Sequence, residues 1–288
     1  MKFRRKLFYL TAAIFLFSAA LSCTSTKNFQ NDFSESENSL AQNGISLSLK
    51  EYNETLYYLA QIDLTFPDLE IVFFPEEVND EGWFKTEGIK TFSEKQQAVL
   101  AVNVTPFEIK NEFSSWRKIA GLYKLNEKII SPEIKKYCAI GFTKKTYGKN
   151  ETYKAEIFSS QTDFKIENFE NAAGGFFIIL DENGVKEFPY PEKEANIAFG
   201  ISKEGSELFI LGCNRKSFGK EKGLTFSECG KILQQEGCTK AMICDGGHSA
   251  QLFFNGKTLV KRFPSRKPAV QIGFKIKDKT KMQQEQNQ

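Results

Sequence analysis

The sequence has little of what metal and nucleic-acid sites usually need. It contains one histidine, His248, and none of its six cysteines forms a Cys-x-x-Cys pair, so we expect no zinc site of the cysteine–histidine type. No residue pattern supports a bound cofactor or a divalent cation. No basic stripe carries interleaved aromatic residues, which argues against nucleic acid as a partner. No internal repeat is evident, so a repeat architecture is not expected.

The apolar run near the start is too short to span a bilayer. It extends from Leu7 to Ala20, 14 residues, against the roughly 20 that a transmembrane helix needs. A basic segment precedes it, and the small residues before Cys23 are typical of a bacterial lipoprotein signal. We expect cleavage before Cys23, lipid on its thiol, and an exported protein anchored to a cell membrane or outer membrane. An ordinary signal peptide followed by an unrelated cysteine is the alternative.

The excess of positive charge lies mostly in that first segment. Residues 1–22 hold four of the 39 Lys and Arg residues and none of the 36 Asp and Glu residues. The remainder therefore has 35 basic against 36 acidic residues, a net charge of −1. The sequence pI of 8.4 thus gives no reason to expect a polyanionic partner.

Composition divides the chain into four parts. Residues 1–22 are the predicted signal, and residues 23–50, rich in Ser, Asn, Gln and Thr, are a predicted flexible tether. Residues 51–278 are long enough for one sizeable domain. Residues 279–288 form a polar tail.

Five cysteines lie beyond Cys23, most of them in apolar runs. An exported protein can form disulfides, but an odd number leaves at least one thiol free unless it pairs between chains. Burial as free thiols is the simpler expectation. These cysteines are Cys138, Cys213, Cys229, Cys238 and Cys244.

Strand patterns dominate the domain. Alternating, β-branched and aromatic runs predict a hairpin across Leu56 to Phe74, a strand over 98–103, a hairpin from 195–202 and 207–213, and late strands over 241–244, 251–254 and 269–276. A short helix is predicted near Thr91. A clearer helix begins after Thr225, because Glu228 completes a capping-box spacing. These elements predict an α+β fold: a single domain with a strand-rich mixed sheet core and a few helices.

The stretch from Met242 to Lys257 concentrates unusual residues at the end of a predicted strand. Asp245 is followed by Gly246, Gly247, His248 and Ser249. A carboxylate beside two glycines can belong to a site, since glycine permits positive φ and close backbone approach to a ligand. A tight turn with a solvated aspartate explains the same residues equally well.

The segment from Leu224 to Gly256 resembles the phosphodiester glycosidase domain family. That family has a helix, a strand ending in Asp-Gly-Gly-Gly-Ser-Ser/Thr, and a strand ending in Asn-Gly. The helix, Asp245 to Ala250 and Asn255-Gly256 follow in the same order and spacing. Weaker matches extend the resemblance over roughly 56–276: Asn103 to Phe107, Asn171 to Gly175, Ile197 to Leu211, Arg215, and Arg266 to Pro268.

Four departures from the family pattern concern the site. The family's Arg before Thr-Ala-x-Gly aligns with Asn196, which lacks the charge and the bidentate fork that suit phosphate. Asn-Gly-Gly-Phe-Phe is here Asn103-Val-Thr-Pro-Phe, and Asp-Gly-Arg is Cys-Asn-Arg215. The third glycine of the hallmark is His248, and its second hydroxyl residue is Ala250. A protonated His248 would partly restore the missing charge, whereas a solvated turn histidine would not.

The resemblance implies hydrolysis of a sugar-1-phosphodiester on its glycosidic side, releasing sugar and a phosphomonoester. Asp245 is the expected catalytic residue. The expected substrate contacts are Arg215 and Arg266 with the amides of Gly246 and Gly247 on phosphate, Asn103 and Ser249 on the sugar or orienting Asp245, and His248. Glu228 is expected to cap a helix rather than supply a second acid.

Two other classes of function fit the chain. A non-catalytic envelope lipoprotein of the same fold, binding a glycan or a phosphodiester, is favoured by the lost arginine. A surface adhesion or antigenic domain would not need the Asp-Gly-Gly segment. The partners expected are therefore a carbohydrate or sugar phosphate, and a membrane through Cys23.

Overall fold

Nearly half of the described residues lie in β-strands. The computed structural model describes residues 44–111, 114–147, 150–216 and 219–277. In chain order the strands are β1 (Ile45–Tyr52), β2 (Thr55–Asp63), β3 (Leu69–Phe74), β4 (Trp83–Lys85), β5 (Leu100–Asn103), β6 (Phe107–Ile109), β7 (Trp116–Ile119), β8 (Tyr123–Leu125), β9 (Lys128–Ser131), β10 (Ala139–Tyr147), β11 (Asn150–Phe158), β12 (Asn171–Gly174), β13 (Phe177–Asp181), β14 (Gly184–Val185), β15 (Asn196–Ile201), β16 (Glu207–Cys213), β17 (Lys240–Ile243), β18 (Gln251–Phe254), β19 (Lys257–Lys261) and β20 (Gln271–Ile276). The helices are α1 (Ile89–Gln96) and α2 (Phe226–Gln235), with 3₁₀ turns at Phe164–Asn168 and Gly247–Ser249.

The largest sheet has seven strands, in the order β1-β2-β16-β15-β17-β13-β14. Helix α2 packs on it through Cys229, Ile232 and Leu233, which share a core cluster with residues of β2, β13, β15, β16 and β17. The spacing of these three residues places them on one face of the helix, so the amphipathic pattern read from the sequence is the packed face.

The second major sheet carries the other side of the site. Its order is β19-β18-β5-β20-β3, and α1 packs on it through Ile89 and Phe92. Its centre, β5, is buried at all four positions. A strand buried on both faces reads as a continuous apolar run, as 98–102 does.

Two smaller sheets complete the fold. One has the order β11-β10-β12-β8-β9, and the other is β4-β7-β6. The three-stranded sheet is tied to the chain just before β20, because Arg117 Nε donates to the Lys267 carbonyl at 3.1 Å. The Thr86 hydroxyl also donates to the Pro268 carbonyl.

The predicted strand-rich α+β class is confirmed in its broad form, and three finer expectations are corrected. The strand pairs of the described residues are antiparallel rather than mixed. The predicted hairpin across Leu56 to Phe74 is wrong, because β2 pairs with β1 and β16 whereas β3 pairs with β20. The tether prediction is wrong for 45–50, since this segment belongs to β1 and finds its partner in β2.

Predictions that rested on residues close together in the sequence are confirmed. The hairpin of β15 and β16 is present, and α2 begins with a complete capping box between Thr225 and Glu228. The five cysteines after Cys23 are all buried free thiols. The structural role expected for them is therefore confirmed.

The predicted signal, Cys23 and most of the predicted tether fall in residues 1–43, outside the described residues. The predicted tail, 279–288, also lies outside them. Among the described residues, no helix is long and apolar enough to cross a membrane.

Candidate active site

Asp245 lies where the chain passes from one major sheet to the other. It follows β17 of the seven-stranded sheet and precedes β18 of the five-stranded sheet. The Asp245 N–H donates to the Val104 carbonyl, just beyond β5, at 2.8 Å. The Gly247 N–H donates to the Ala195 carbonyl, just before β15, at 2.7 Å. The segment is thus fastened to both sheets by its backbone.

The side chain of Asn103 completes this attachment. Its Nδ2 donates to the Asp245 carbonyl at 2.7 Å, and its Oδ1 accepts from the Gln251 N–H at 2.7 Å. The residue is 1% exposed. Both halves of the amide are therefore used to hold the Asp245 segment, which favours the orienting role over the sugar contact that the sequence analysis also considered.

The two glycines serve close packing of the backbone. Gly247 has φ +58°, a conformation that favours glycine. At Gly246 an added Cβ would lie 2.9 Å from Asn196 Oδ1 and 3.0 Å from the Ala195 carbonyl oxygen.

The glycine amides have partners within the protein. The Gly247 N–H is bonded to Ala195, and the Gly246 N–H donates to the Asp245 carboxylate. This arrangement does not support the phosphate contacts that the sequence analysis gave to these amides.

Burial controls the acidity of Asp245. Loss of solvation raises the pKa of its carboxyl from the ordinary 3.8 to about 7. A hydrogen bond from the Ser249 side chain, the positive charge of Arg266 and the Gly246 amide each act to lower that pKa. Ser249, itself buried, is thus placed to orient the carboxylate. A carboxyl with a pKa near neutrality can exchange protons at physiological pH, as general acids and bases must.

A pocket of about 300 Å³ opens onto Asp245. Its walls combine aromatic rings with a few polar groups, the usual composition of a small-molecule site. Its volume is at the small end of such sites, roughly 300–1,000 Å³. The lining residues are Phe176, Tyr190, Glu192, Glu194, Asn196, Phe226, Cys244, Asp245, Gly246 and Gly247.

Two arginines converge on one carboxylate of this pocket. Nη1 of Arg215 pairs with Oε1 of Glu194, and Nη1 of Arg262 pairs with Oε2. Arg262 is also close to the glycine pair, because its Nη1 would lie 3.7 Å from a Cβ added at Gly247. Two guanidinium groups thus share one carboxylate in the wall of the pocket that Asp245 also lines.

Glu194 and Arg262 were missed by the sequence analysis. Both flank strands: Glu194 precedes β15, and Arg262 follows β19. The scarcity of arginine in the sequence could have indicated Arg262. Only four arginines lie beyond residue 22. Arg215 and Arg262 pair with the pocket residue Glu194, and the charge of Arg266 acts on Asp245.

His248 and Arg266 lie on segments that are joined to each other. The Arg266 N–H donates to the His248 carbonyl at 2.8 Å. The His248 Nδ1 faces the Pro264 carbonyl, which can only accept, so Nδ1 carries a proton. The imidazole therefore fastens the loop after β19 to the Asp245 segment.

Asn196 does not replace the guanidinium expected at its position. It is buried, and its Nδ2 donates to the Leu224 carbonyl at 2.7 Å. Within the described residues, no group of three or more His, Cys, Asp and Glu side chains is placed to hold a metal ion.

Comparison with known proteins gives one family match and several similar structures. The phosphodiester glycosidase family model matches residues 96–275. The catalytic domain of zebrafish N-acetylglucosamine-1-phosphodiester α-N-acetylglucosaminidase, auto-inhibited by its pro-peptide, has a TM-score of 0.56 at 14% identity, covering 82% of each chain. No curated protein matches the chain.

Two further structures share the fold. A hypothetical protein from Synechocystis has a TM-score of 0.59 at 14% identity, and the match covers 81% of this chain but 62% of that one. A putative exported protein from Burkholderia pseudomallei has a TM-score of 0.57 at 9% identity, covering 76% of this chain and 73% of that one. At these identities the likeness concerns the fold alone.

The raised pKa of Asp245 predicts a stability change with pH. Between pH of about 4 and 7 the folded protein holds a proton that the unfolded chain releases, so the free energy of unfolding falls as pH rises through this window. Asp245→Asn is neutral throughout and should be more stable than the parent above pH of about 7, by on the order of 1 to 4 kcal/mol. Urea unfolding at pH of about 4 and 8 tests this. A difference between the two proteins that is the same at both pH values would contradict it.

Proposed function

The chain belongs to the phosphodiester glycosidase family, and we propose that it hydrolyses a sugar-1-phosphodiester on the glycosidic side, with Asp245 as the catalytic base. The observation that carries the proposal is a half-buried carboxyl, whose loss of solvation raises its pKa to about 7, in a pocket where Glu194 pairs with two arginines. Such a site can move a proton and stabilise an anionic leaving group together.

The proposed step follows from the properties of the leaving group. Water attacks the anomeric carbon and loses a proton to the Asp245 carboxylate, while the bond from that carbon to the phosphate oxygen breaks. The electron pair stays on the phosphate oxygen. A departing phosphomonoester needs charge stabilisation more than a proton, so we assign Asp245 to the water and the arginines to the phosphate.

Arg262 is the residue we propose to replace the guanidinium absent at Asn196. It reaches the pocket from the opposite sheet and is held by Glu194. Arg215 shares that carboxylate, and the charge of Arg266 acts on Asp245. Glu194 thus serves as a positioning residue that keeps two guanidinium groups at the entrance until a phosphate competes for them.

The aromatic walls suit the sugar. Phe176, Tyr190 and Phe226 line the pocket, and Phe188 packs edge-on against Phe226 with ring centroids 5.5 Å apart. Rigid aromatic surfaces bind an amphipathic ring at little entropic cost. The pocket volume of about 300 Å³ favours a single sugar ring over a polymer segment.

A second candidate function is binding without hydrolysis. Asn196 favours it, because its amide is committed to Leu224 and it carries no charge. In that case the pocket would hold a glycan or phosphodiester and leave it intact.

Hydrolysis and binding are separated by an assay for free sugar. The substrate is an aryl phosphodiester of N-acetylglucosamine-1-phosphate, incubated with the full chain and with Asp245→Asn, with and without divalent ions. We expect the parent rate to rise through pH of about 7 as Asp245 ionises, and Asp245→Asn to lose roughly 100-fold or more. Full activity in Asp245→Asn would refute the catalytic assignment. Binding of the substrate by both folded proteins without release of sugar would favour the second function.

Arg262→Gln tests the proposed phosphate contact. Loss of one charge-assisted hydrogen bond should lower kcat/KM roughly 10- to 100-fold and weaken inhibition by inorganic phosphate. Lys261→Gln, a neighbouring and exposed change, should affect neither quantity. Equal effects of the two variants would mean that Arg262 acts only through the net charge of the surface.

The cell-envelope location is part of the proposal and rests on residues 1–23 of the sequence. In a bacterial host, the wild-type chain should appear in the membrane fraction and take up labelled fatty acid. Cys23→Ser should take up none and leave the membrane. Labelling that persists in Cys23→Ser would rule out lipid on this thiol.

A further inference from the structure

Both tryptophans of the chain line a second cavity. The sequence contains two, Trp83 and Trp116, and each contributes to a hollow of about 620 Å³. This cavity shares no lining residue with the pocket at Asp245. Its walls come from β4, β7, the last residues of α1 and the chain after β3. The proposed hydrolysis gives it no role.

Strand register explains why the tryptophans share one face. In the pairing of β4 with β7, Trp83 lies opposite Lys118, and Lys85 lies opposite Trp116. Side chains alternate between faces along a strand, so these four residues project together and the tryptophans are diagonal neighbours. The pair between them, Phe84 and Arg117, is buried on the other face.

The face of β4 and β7 that carries the two tryptophans, called the tryptophan platform below, is held rigidly by contacts of the opposite face. Arg117 donates to three carbonyls, those of Ser114, Trp116 and Lys267. Its guanidinium also lies 5.0 Å from the centre of the Phe107 ring. The outer face is thus supported from below, while Trp116 remains 40% exposed. A large exposed aromatic surface on a fixed support is uncommon without a binding role.

The opposite wall offers free hydrogen-bonding groups. Glu76 and Glu77 are exposed and line the cavity. Neither side chain has an ion pair or hydrogen bond to another described residue, and the same holds for the Lys85 side chain. Glu87 differs, because it is paired with Lys95. Two carboxylates and one ammonium group therefore face the space beside the rings.

We propose that this cavity is a carbohydrate-binding site, separate from the Asp245 pocket. Sugar rings present apolar C–H faces that pack on indole and hydroxyl edges that donate to carboxylates, which matches these two walls. Nucleic acid does not fit, because Glu76 and Glu77 would repel its phosphates. An apolar peptide would leave the same carboxylates desolvated and unpaired. The tryptophan platform offers two rings at diagonal positions, so it suits an oligosaccharide rather than a single sugar.

Tryptophan fluorescence gives a direct test, because under excitation selective for indole over the tyrosine side chains only the two tryptophans of the proposed site emit. The full chain, kept in a non-glycosidic detergent, is titrated with oligomers of N-acetylglucosamine, glucose (cellulose- and starch-type) and mannose. At least one should change the emission saturably. Trp116→Ala, followed through Trp83, should bind that oligomer at least about tenfold more weakly. Phe164→Ala, which removes an exposed aromatic residue elsewhere, should bind normally.

Two further variants keep the test decisive. Glu77→Gln changes an exposed side chain, so it should fold normally and still weaken glycan binding. Asp245→Asn should leave binding in this cavity unchanged, which distinguishes it from the site of the proposed hydrolysis. The proposal is overturned if no oligomer changes the emission, if Trp116→Ala and Glu77→Gln bind like the parent, or if only an oligonucleotide or peptide produces a response.

Discussion

The buried amide of Asn103 is the contact on which the site depends. It joins the end of β5 to the Asp245 carbonyl and to the first amide of β18. The Asp245 segment crosses between two sheets at this point, and the Asn103 side chain adds to the backbone hydrogen bond from Asp245 to Val104 on the side of β5. A buried amide with both groups satisfied specifies one geometry, whereas an unsatisfied one costs on the order of 1–3 kcal/mol. The position of Asp245 is thus set by hydrogen bonds to its own main chain.

The same burial that fixes Asp245 also determines its chemistry. Removal from water raises the pKa of the carboxyl, and Ser249 and Arg266 limit the rise. Glu194, in the wall of the same pocket, holds the guanidinium groups of Arg215 and Arg262. The hydrolysis we propose would use Asp245 for proton transfer and the arginines for the anion, in surroundings where both interactions are stronger than in water.

Sequence reasoning succeeded where neighbours along the chain supply the interactions. The capping box of Thr225 and Glu228 and the hairpin of β15 and β16 are closed by residues close in sequence. It failed for β2 and β3, which look like a hairpin but belong to different sheets. The residue pattern of each segment predicts a strand. It does not specify whether the hydrogen-bonding partner is the next strand or one far along the chain.

The sequence by itself determined the strand-rich class, the start of the second helix after Thr225, and the Asp245-Gly-Gly segment as the candidate centre. Those properties depend on periodicity, capping and glycine content, which are local. Only the tertiary structure decided that Glu194 and Arg262 meet beside Asp245 and that Trp83 and Trp116 share one face. The physical reason is the same in both cases. Such groups are brought together by sheet pairing between distant segments, and their chemistry depends on distances and burial that no single segment encodes.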